Sequence, residues 1–290
     1  TMASAFATIA QCATTAPLNP NYREEEFVFY LEDLNAKAVV INKDYEGPAA
    51  LAAQRLNIQI IRLVESKGIA GLFSIEAEKK GNVIEDEVVN ENDVALILHT
   101  SGTTSRPKIV PLLQSNIATS ASNIARSLSL SSSDRCMNVM PLFHIHGLIA
   151  AVSASLTAGA SIWCSAGFNA LSFFSNLDEA KPTWYTAVPT MHQAILARAG
   201  RNAETIENNP LRFLRSSSAS LPAQVMVELV ERFGAPVVEA YGMTEATHQM
   251  CCNRLDKQKP GSVGMPAGPS VKIAHEVNNS LVMGAGEVVI

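Results

Sequence analysis

Apolar positions along the chain switch between two rhythms. In residues 23–35, Phe27, Tyr30, Leu31 and Leu34 recur at helical spacing, and a compact apolar run, 38–41, follows at once. The pattern predicts a helix and then a strand. A second helix is predicted over 48–56 with Pro48 in its first turn, a strand over 58–64, and a surface connection over the acidic 85–93. From there strand patterns fall at 94–98, 136–140, 161–164, 184–188, 211–214 and 237–240, interleaved with helical stretches such as 114–128 and 222–233. Such alternation predicts an α/β fold, a largely parallel sheet covered by helices. Beyond Gly242, Pro260, Gly261, Gly264, Pro266, Gly268 and Pro269 punctuate short strands, predicting a small antiparallel or barrel-like, β-rich portion.

Five polar segments, 100–108, 141–146, 189–192, 216–220 and 241–248, each follow a predicted strand directly. In a parallel sheet they emerge on one rim, and open α/β sheets bind ligands outside the carboxyl ends of their strands. The segments are therefore expected to form one site.

Composition narrows the possibilities. With 290 residues, 47% of them hydrophobic and 17% charged, the chain can bury a large core. A net charge of −5 with scattered basic residues argues against a nucleic-acid partner. No run approaches the roughly 18 apolar residues of a membrane span. The stretch 2–16 has no basic residue before it and is interrupted by Gln11, unlike a secretory signal. The five cysteines include no CxxC and read as buried free thiols, which fits a reducing compartment.

The run LILHTSGTTSRPK surrounds Gly102 with hydroxyls and places Arg106 and Lys108 behind them. Hydroxyls, glycine amides and a lysine can grip phosphate oxygens, but the Walker spacing is absent, and an ordinary Ser/Thr-rich turn has the same composition. In VVEAYGMTEATHQM, Tyr241 offers a flat ring, Thr244 a hydroxyl, and Glu245 a hard oxygen ligand for magnesium; alone, Glu245 is an ordinary surface carboxylate. In PLFHIHG, His144 and His146 would point the same way if extended, as a metal pair does. No cysteine or carboxylate stands at matching spacing, so histidines satisfied by hydrogen bonds in a pocket or core are the preferred reading. TWYTAVPTMHQ and RSSSASLP carry small and hydroxyl side chains suited either to tight turns or, with His144, His146 and His248, to the acid end of a small polar substrate.

Taken in order, these segments resemble the adenylate-forming superfamily, which includes acyl-CoA synthetases, firefly luciferase and peptide-synthetase adenylation domains. HTSGTTSRPK is similar to its phosphate loop, PLFHIHG to its acyl-site histidine segment, RSSSASLP to its adenine-side loop and YGMTE to its nucleotide and magnesium motif. GSVGMP and GEVVI also sit at comparable places, so the resemblance covers nearly the whole chain. Within the superfamily, TTSRPK, PLFHIHG, TWYTAVPTMHQ and EAYGMTEATHQM most resemble the oxalate-CoA ligases, including Ser105 where the generic pattern has glycine. Ile109 departs from the usual glycine after the lysine, and Gly242 stands where the subgroup commonly has alanine.

The resemblance implies the fold of the adenylate-forming N-terminal domain, with a first α/β portion over 1–93, a motif-bearing portion over 94–250 and the start of a small β-rich subdomain over 251–290. It implies ATP and coenzyme A as co-substrates, Mg2+, and a small carboxylic acid, oxalate, as substrate. Thr100, Ser101, Gly102, Thr103, Thr104 and Lys108 would hold the β- and γ-phosphates, Thr244 the α-phosphate and Glu245 the magnesium. Tyr241 and Gly242 would lie against adenine, with Ser218, Ala219 and Ser220 along its edge; His144, Ser218 and His248 would bind the acid. His144, Thr244, Glu245 and Lys108 would carry the catalytic roles.

The family pattern also has segments before Thr1 and, after Ile290, a ribose-binding aspartate, a hinge and a C-terminal lid with an adenylation lysine. The chain is thus expected to be a fragment, cytoplasmic or peroxisomal, any peroxisomal C-terminal address lying beyond Ile290. Competing expectations are a non-catalytic nucleotide-binding or interaction module, a ligase for medium-chain or aryl acids, and, last, a metal-dependent hydrolase.

Overall fold

The computed structural model describes residues 1–77, 89–100 and 107–290. Helix α1 (Met2–Ile9) opens the chain, followed by α2 (Glu24–Asp33), β1 (Ala38–Asn42), α3 (Pro48–Arg55), β2 (Gln59–Glu65) and β3 (Phe73–Ala77). The start of α2 is set by Glu26, whose carboxylate accepts the Arg23 N–H at 2.9 Å, while Glu24 and Glu25 place negative charge at the positive end of the helix. Phe27 and Leu31, at helical spacing, pack on the alanine face of α3 and on β1 and β2, forming a small core of their own. β1 and β2 are parallel and β3 is antiparallel to β2.

β4 (Val94–Thr100) and β5 (Lys108–Leu113) form an antiparallel ladder followed by α4 (Gln114–Ser127). This corrects the expectation that the strand before the 100–108 segment belongs to the parallel sheet. Pro111 stands within β5 opposite Ile97, a placement tolerated in a strand of a two-stranded ladder.

The rest of the chain alternates: β6 (Arg135–Asn138), a π-helix (His146–Ser153) running into α5 (Ala154–Thr157), β7 (Ser161–Cys164), α6 (Phe173–Ala180), β8 (Trp184–Ala187), α7 (Pro189–Ala199), α8 (Ala203–Asn208), β9 (Phe213–Ser216), α9 (Ala223–Phe233) and β10 (Val237–Met243). β11 (His248–Cys252) and β12 (Met265–Pro266) complete a seven-stranded sheet in the order β12-β11-β10-β9-β8-β6-β7. The five strands from β10 to β7 are parallel; β11 and β12 are antiparallel additions at one edge. The first short strands after Gly242 therefore extend the main sheet, while β13 (Lys272–Ala274) and β14 (Glu287–Val289) make a separate two-stranded ladder.

Period-two alternation divides the sheet's side chains between two cores. Met137, Tyr185, Leu214 and Val237 face α6 to α9, whereas Cys136, Trp184, Phe213 and Val238 face α4, the π-helix and the β4–β5 ladder. Trp184 stacks on Phe213 with centroids 5.2 Å apart, an aromatic pair worth about 1 kcal/mol beyond its burial. Next to this pair, at the amino ends of the strands, Asp134 accepts from Thr183 Oγ1 at 2.7 Å and from Arg212 Nε at 3.0 Å, pinning the starts of β6, β8 and β9. With the strand starts fixed, the carboxyl ends of β6, β8, β9 and β10 form one rim.

Among the described residues no helix is long and apolar enough to cross a membrane. All five cysteines are free. Cys136, Cys251 and Cys252 are buried as expected, but Cys12 and Cys164 are exposed, a correction that reflects their places at the end of α1 and on edge strand β7.

Candidate functional site

A cleft of about 580 Å³ opens on this rim. Thr100 and Lys108 are cross-strand partners at the open end of the β4–β5 ladder, and both line the cleft. The ladder thus brings Thr100 and Lys108, the two ends of the expected phosphate segment, to the cleft even though it lies outside the parallel sheet. Ser101, Gly102, Thr103 and Thr104, with Ser105 and Arg106, lie outside the described residues.

The opposite wall is the turn from β10 into β11, where Gly242, Thr244, Glu245 and His248 line the cleft. A bulge between Tyr241 and Gly242 brings the two strands together, and a Cβ on Gly242 would meet the His248 carbonyl oxygen at 1.4 Å. Thr244–Ala246 form one 3-10 turn, after which Thr247 (φ 52°) and His248 (φ 91°) both adopt left-handed backbone. Such strain in non-glycine residues persists only where surroundings enforce it. Here Ser120 Oγ, from α4, donates to the Thr247 carbonyl at 2.5 Å. The turn aims a buried His248 into the cleft, its Nδ1 without a hydrogen-bond partner among the described residues.

The floor is a polar cluster inside an otherwise apolar layer. His146, at the first residue of the π-helix, places Nε2 2.6 Å from Thr186 Oγ1 and Nδ1 3.0 Å from Ser218 Oγ. Thr186 and Arg215 are register partners on β8 and β9. The Arg215 guanidinium is fully buried, with Nη1 3.2 Å from His146 Nε2 and Nη2 donating to Gln249 Oε1 at 3.1 Å. Burial lowers its pKa from 12.5 to about 10, leaving it charged at neutral pH. Burial also holds His146 and His248 well below the usual histidine value, with Arg215 acting in the same direction, and burial lowers His144. The cleft therefore presents neutral imidazoles over a buried positive charge.

The structure brings together Thr100, Lys108, His144, Ser218, Gly242, Thr244, Glu245 and His248. Ala219, Ser220 and Tyr241 are exposed beside the cleft without lining it. The 189–192 segment does not reach it: Pro189 starts α7, and His192 is buried between the Tyr185 hydroxyl and the Arg215 carbonyl, while Val188 supplies the wall. Ser216 and Ser217 are buried as well, Ser217 Oγ donating to the Ala240 carbonyl at 2.9 Å.

The metal-pair alternative fails on geometry. His144 and His146 flank a turn that winds into the π-helix, rather than an extended strand, and both ring nitrogens of His146 are engaged by hydroxyls. No group of three His, Cys, Asp or Glu side chains that could hold a metal occurs among the described residues. Glu245 stands as one exposed carboxylate at the cleft, a donor set suited to Mg2+ held mainly by phosphates and water and unsuited to a protein-only metal site.

Sequence reasoning did not single out Thr186, Arg215 and Gln249. One signal was available: Arg215 is in phase with Phe213, and Thr186 with Trp184, on strands whose same-face neighbours are large aromatics. A charged residue in that phase marks a buried ion.

The family described as AMP-binding enzyme matches residues 1–290. The chain is 45% identical over 278 residues to an oxalate–CoA ligase of Arabidopsis thaliana, covering 93% of this chain and 54% of that protein. It is 38% identical over 302 residues to an oxalate–CoA ligase of Saccharomyces cerevisiae, covering 94% and 54%. The fold matches ATP-bound MatB from Rhodopseudomonas palustris with a TM-score of 0.78 and 26% identity, over 98% of this chain and 57% of that one. The chain spans about half the length of the curated relatives it matches.

Proposed function

The chain belongs to the AMP-binding enzyme family, and from that premise we propose that the protein activates a small carboxylic acid, oxalate, first to an acyl-adenylate and then to an acyl-CoA. The observation that carries this reading is the polarity of this cleft: Thr100, Lys108 and Thr244 on its walls, and His144, Ser218 and His248 beside the buried Arg215. A triphosphate needs the first group. A small acid with a second carboxylate needs donors where its charge leaves water, and the second group supplies them.

In the first step a carboxylate oxygen of the acid attacks the α-phosphorus of ATP, and the bond to the bridging oxygen breaks to release pyrophosphate. In the second, the thiolate sulfur of coenzyme A attacks the acyl carbon and AMP leaves with the shared oxygen. Such chemistry depends on positioning and charge stabilisation. Lys108 and Thr100, with Ser101, Gly102, Thr103 and Thr104, hold the β- and γ-phosphates; Thr244 donates to the α-phosphate as charge gathers there. Tyr241 and Gly242 lie against the adenine, with Ala219 and Ser220 at its edge. His144 and His248, neutral at pH 7, donate hydrogen bonds to the acid rather than removing a proton from it, since a carboxylate nucleophile carries none. Mg2+ fits at Glu245, where it would neutralise phosphate charge.

The test is pyrophosphate exchange by the full-length protein with oxalate, malonate and a medium-chain fatty acid in turn. Oxalate-dependent exchange followed by CoA-thioester formation is the expected result. Preference for the fatty acid would overturn the substrate, and ATP binding without exchange for any acid would overturn the activity.

A further inference from the structure

Arg215 is fully buried, and no carboxylate among the described residues pairs with it. A buried charge with no counter-ion costs stability, so its partners matter. Nη1 lies 3.2 Å from His146 Nε2 and 3.3 Å from Thr186 Oγ1, Nη2 lies 3.1 Å from Gln249 Oε1, and Nε has no partner among the described residues. Gln249 is held in this orientation because its amide nitrogen donates to Ser127 Oγ at 2.9 Å.

A guanidinium carries donors only. The imidazole atom that it attracts at Nε2 is therefore a lone pair, and an N–H there would be repelled. The Thr186 hydroxyl, 2.6 Å away, accepts from Arg215 and donates to the same lone pair. With His146 neutral, its one proton resides on Nδ1, which donates to Ser218 Oγ at 3.0 Å. Ser218 accepts on that side and sits at φ 73° on the cleft wall, leaving its own hydrogen to donate into the cleft. Every bond in this chain points outward from the arginine.

We propose that Arg215 is a positioning residue that, through Thr186 and His146, makes Ser218 an obligate hydrogen-bond donor to the second carboxylate of a small dicarboxylate substrate. The proposal rests on the activity put forward above and adds the device that selects the dianion. His248 sits 5.1 Å, ring to ring, from His146, and the Cys136 and Cys252 thiols are the other titratable groups facing Arg215. His192 touches its strand only through the Arg215 carbonyl.

Two readouts on the full-length protein test this. Long-range 1H–15N correlation of histidine-labelled protein, with the His146 signals assigned by their loss in His146→Asn, reports the tautomer directly. Neutral Nδ1–H in the wild type, retained in Arg215→Lys and lost in Arg215→Met, is expected; an Nε2–H or doubly protonated ring, or no change in Arg215→Met, would overturn the relay. In pyrophosphate exchange, the ratio of KM for oxalate to KM for acetate should rise about 10- to 100-fold in Arg215→Met, the scale of a hydrogen bond to a charged group. Ser218→Ala, at an exposed position, should give the same change if Arg215→Met does not fold. Equal rises for both acids in Ser218→Ala would overturn the selectivity. An Nδ1–H tautomer in a wild-type protein that exchanges pyrophosphate with no acid supports the relay and overturns the proposed activity instead.

Discussion

The Tyr185 hydroxyl donates to His192 Nδ1 at 3.1 Å, which leaves the other ring nitrogen to donate to the Arg215 carbonyl at 3.2 Å and so braces the strand that carries the buried arginine. Burial lowers the His192 pKa from 6.5 to about 4. Above pH 6.5 this histidine is neutral in both states and its contribution to stability is complete. As pH falls below 6.5 the unfolded chain takes up the proton first, so stability is lost until about pH 4. The loss is on the order of 3 kcal/mol. Urea unfolding across this range should show that fall, and His192→Gln should flatten it by the share His192 contributes; an unchanged slope would refute the assignment.

At the bulge the constraint is steric. Gly242→Ala places a methyl group 1.4 Å from the His248 carbonyl oxygen, so strands β10 and β11 must separate. A destabilisation of about 1–3 kcal/mol is expected, together with weaker binding of both nucleotide and acid, because the displaced turn carries Thr244 at one end and His248 at the other. Thermal unfolding and equilibrium ATP binding measure the two effects. A wild-type melting temperature would show that the bulge relaxes without cost.

Ser120 tests how the left-handed turn is held. Ser120→Ala removes the buried donor to the Thr247 carbonyl and leaves that oxygen unpaired, at a cost of about 1–3 kcal/mol. Denaturant midpoints report the stability change, and the KM for the acid should rise more than that for ATP, since His248 is itself one of the strained pair while Lys108 stands on another ladder.

Lys108→Met and Thr244→Ala address the nucleotide end. On the proposed roles each removes a donor to phosphate, a loss of about 1.5–3 kcal/mol for a charge-assisted bond. Lys108→Met should raise the KM for ATP by about tenfold or more, whereas Thr244→Ala should lower the rate of pyrophosphate exchange more than it weakens ATP binding, because the α-phosphate gains its charge in the transition state. Equal effects on both quantities in both variants would remove the distinction between their roles.

Much of the framework was legible in the sequence because its signals are local. The pattern places strand β7 at its observed bounds, and α4 and α9 within a residue of theirs, since helical spacing and turn residues do not depend on distant partners. The pattern places β9 two residues early: Leu211 extends the apolar run, and the polarity of Arg215 and Ser216 ends it although both are buried. Their burial depends on contacts from the π-helix and β11, which no local pattern reports. The β4–β5 ladder was missed for a related reason. Lys108 and Pro111 argue against a strand, and their antiparallel pairing with Thr100 and Ile97, eight and fourteen residues back, is a tertiary fact. At the site, hydroxyls, glycines and histidines were visible as types, whereas the direction of the hydrogen bonds among them required coordinates.

The separate β4–β5 ladder gives the cleft a divided ancestry of support. The end of the cleft with Thr100 and Lys108 is tied to residues near the chain's start, through the Thr15 amide donating to the Ala95 carbonyl at 2.9 Å, and the end with Ser218 and His248 is rooted in the seven-stranded sheet. On the proposed roles, substitutions along β8 and the π-helix would therefore exchange one acid for another without touching the ladder that carries Lys108, so that fuel and cargo answer to different supports of the same wall.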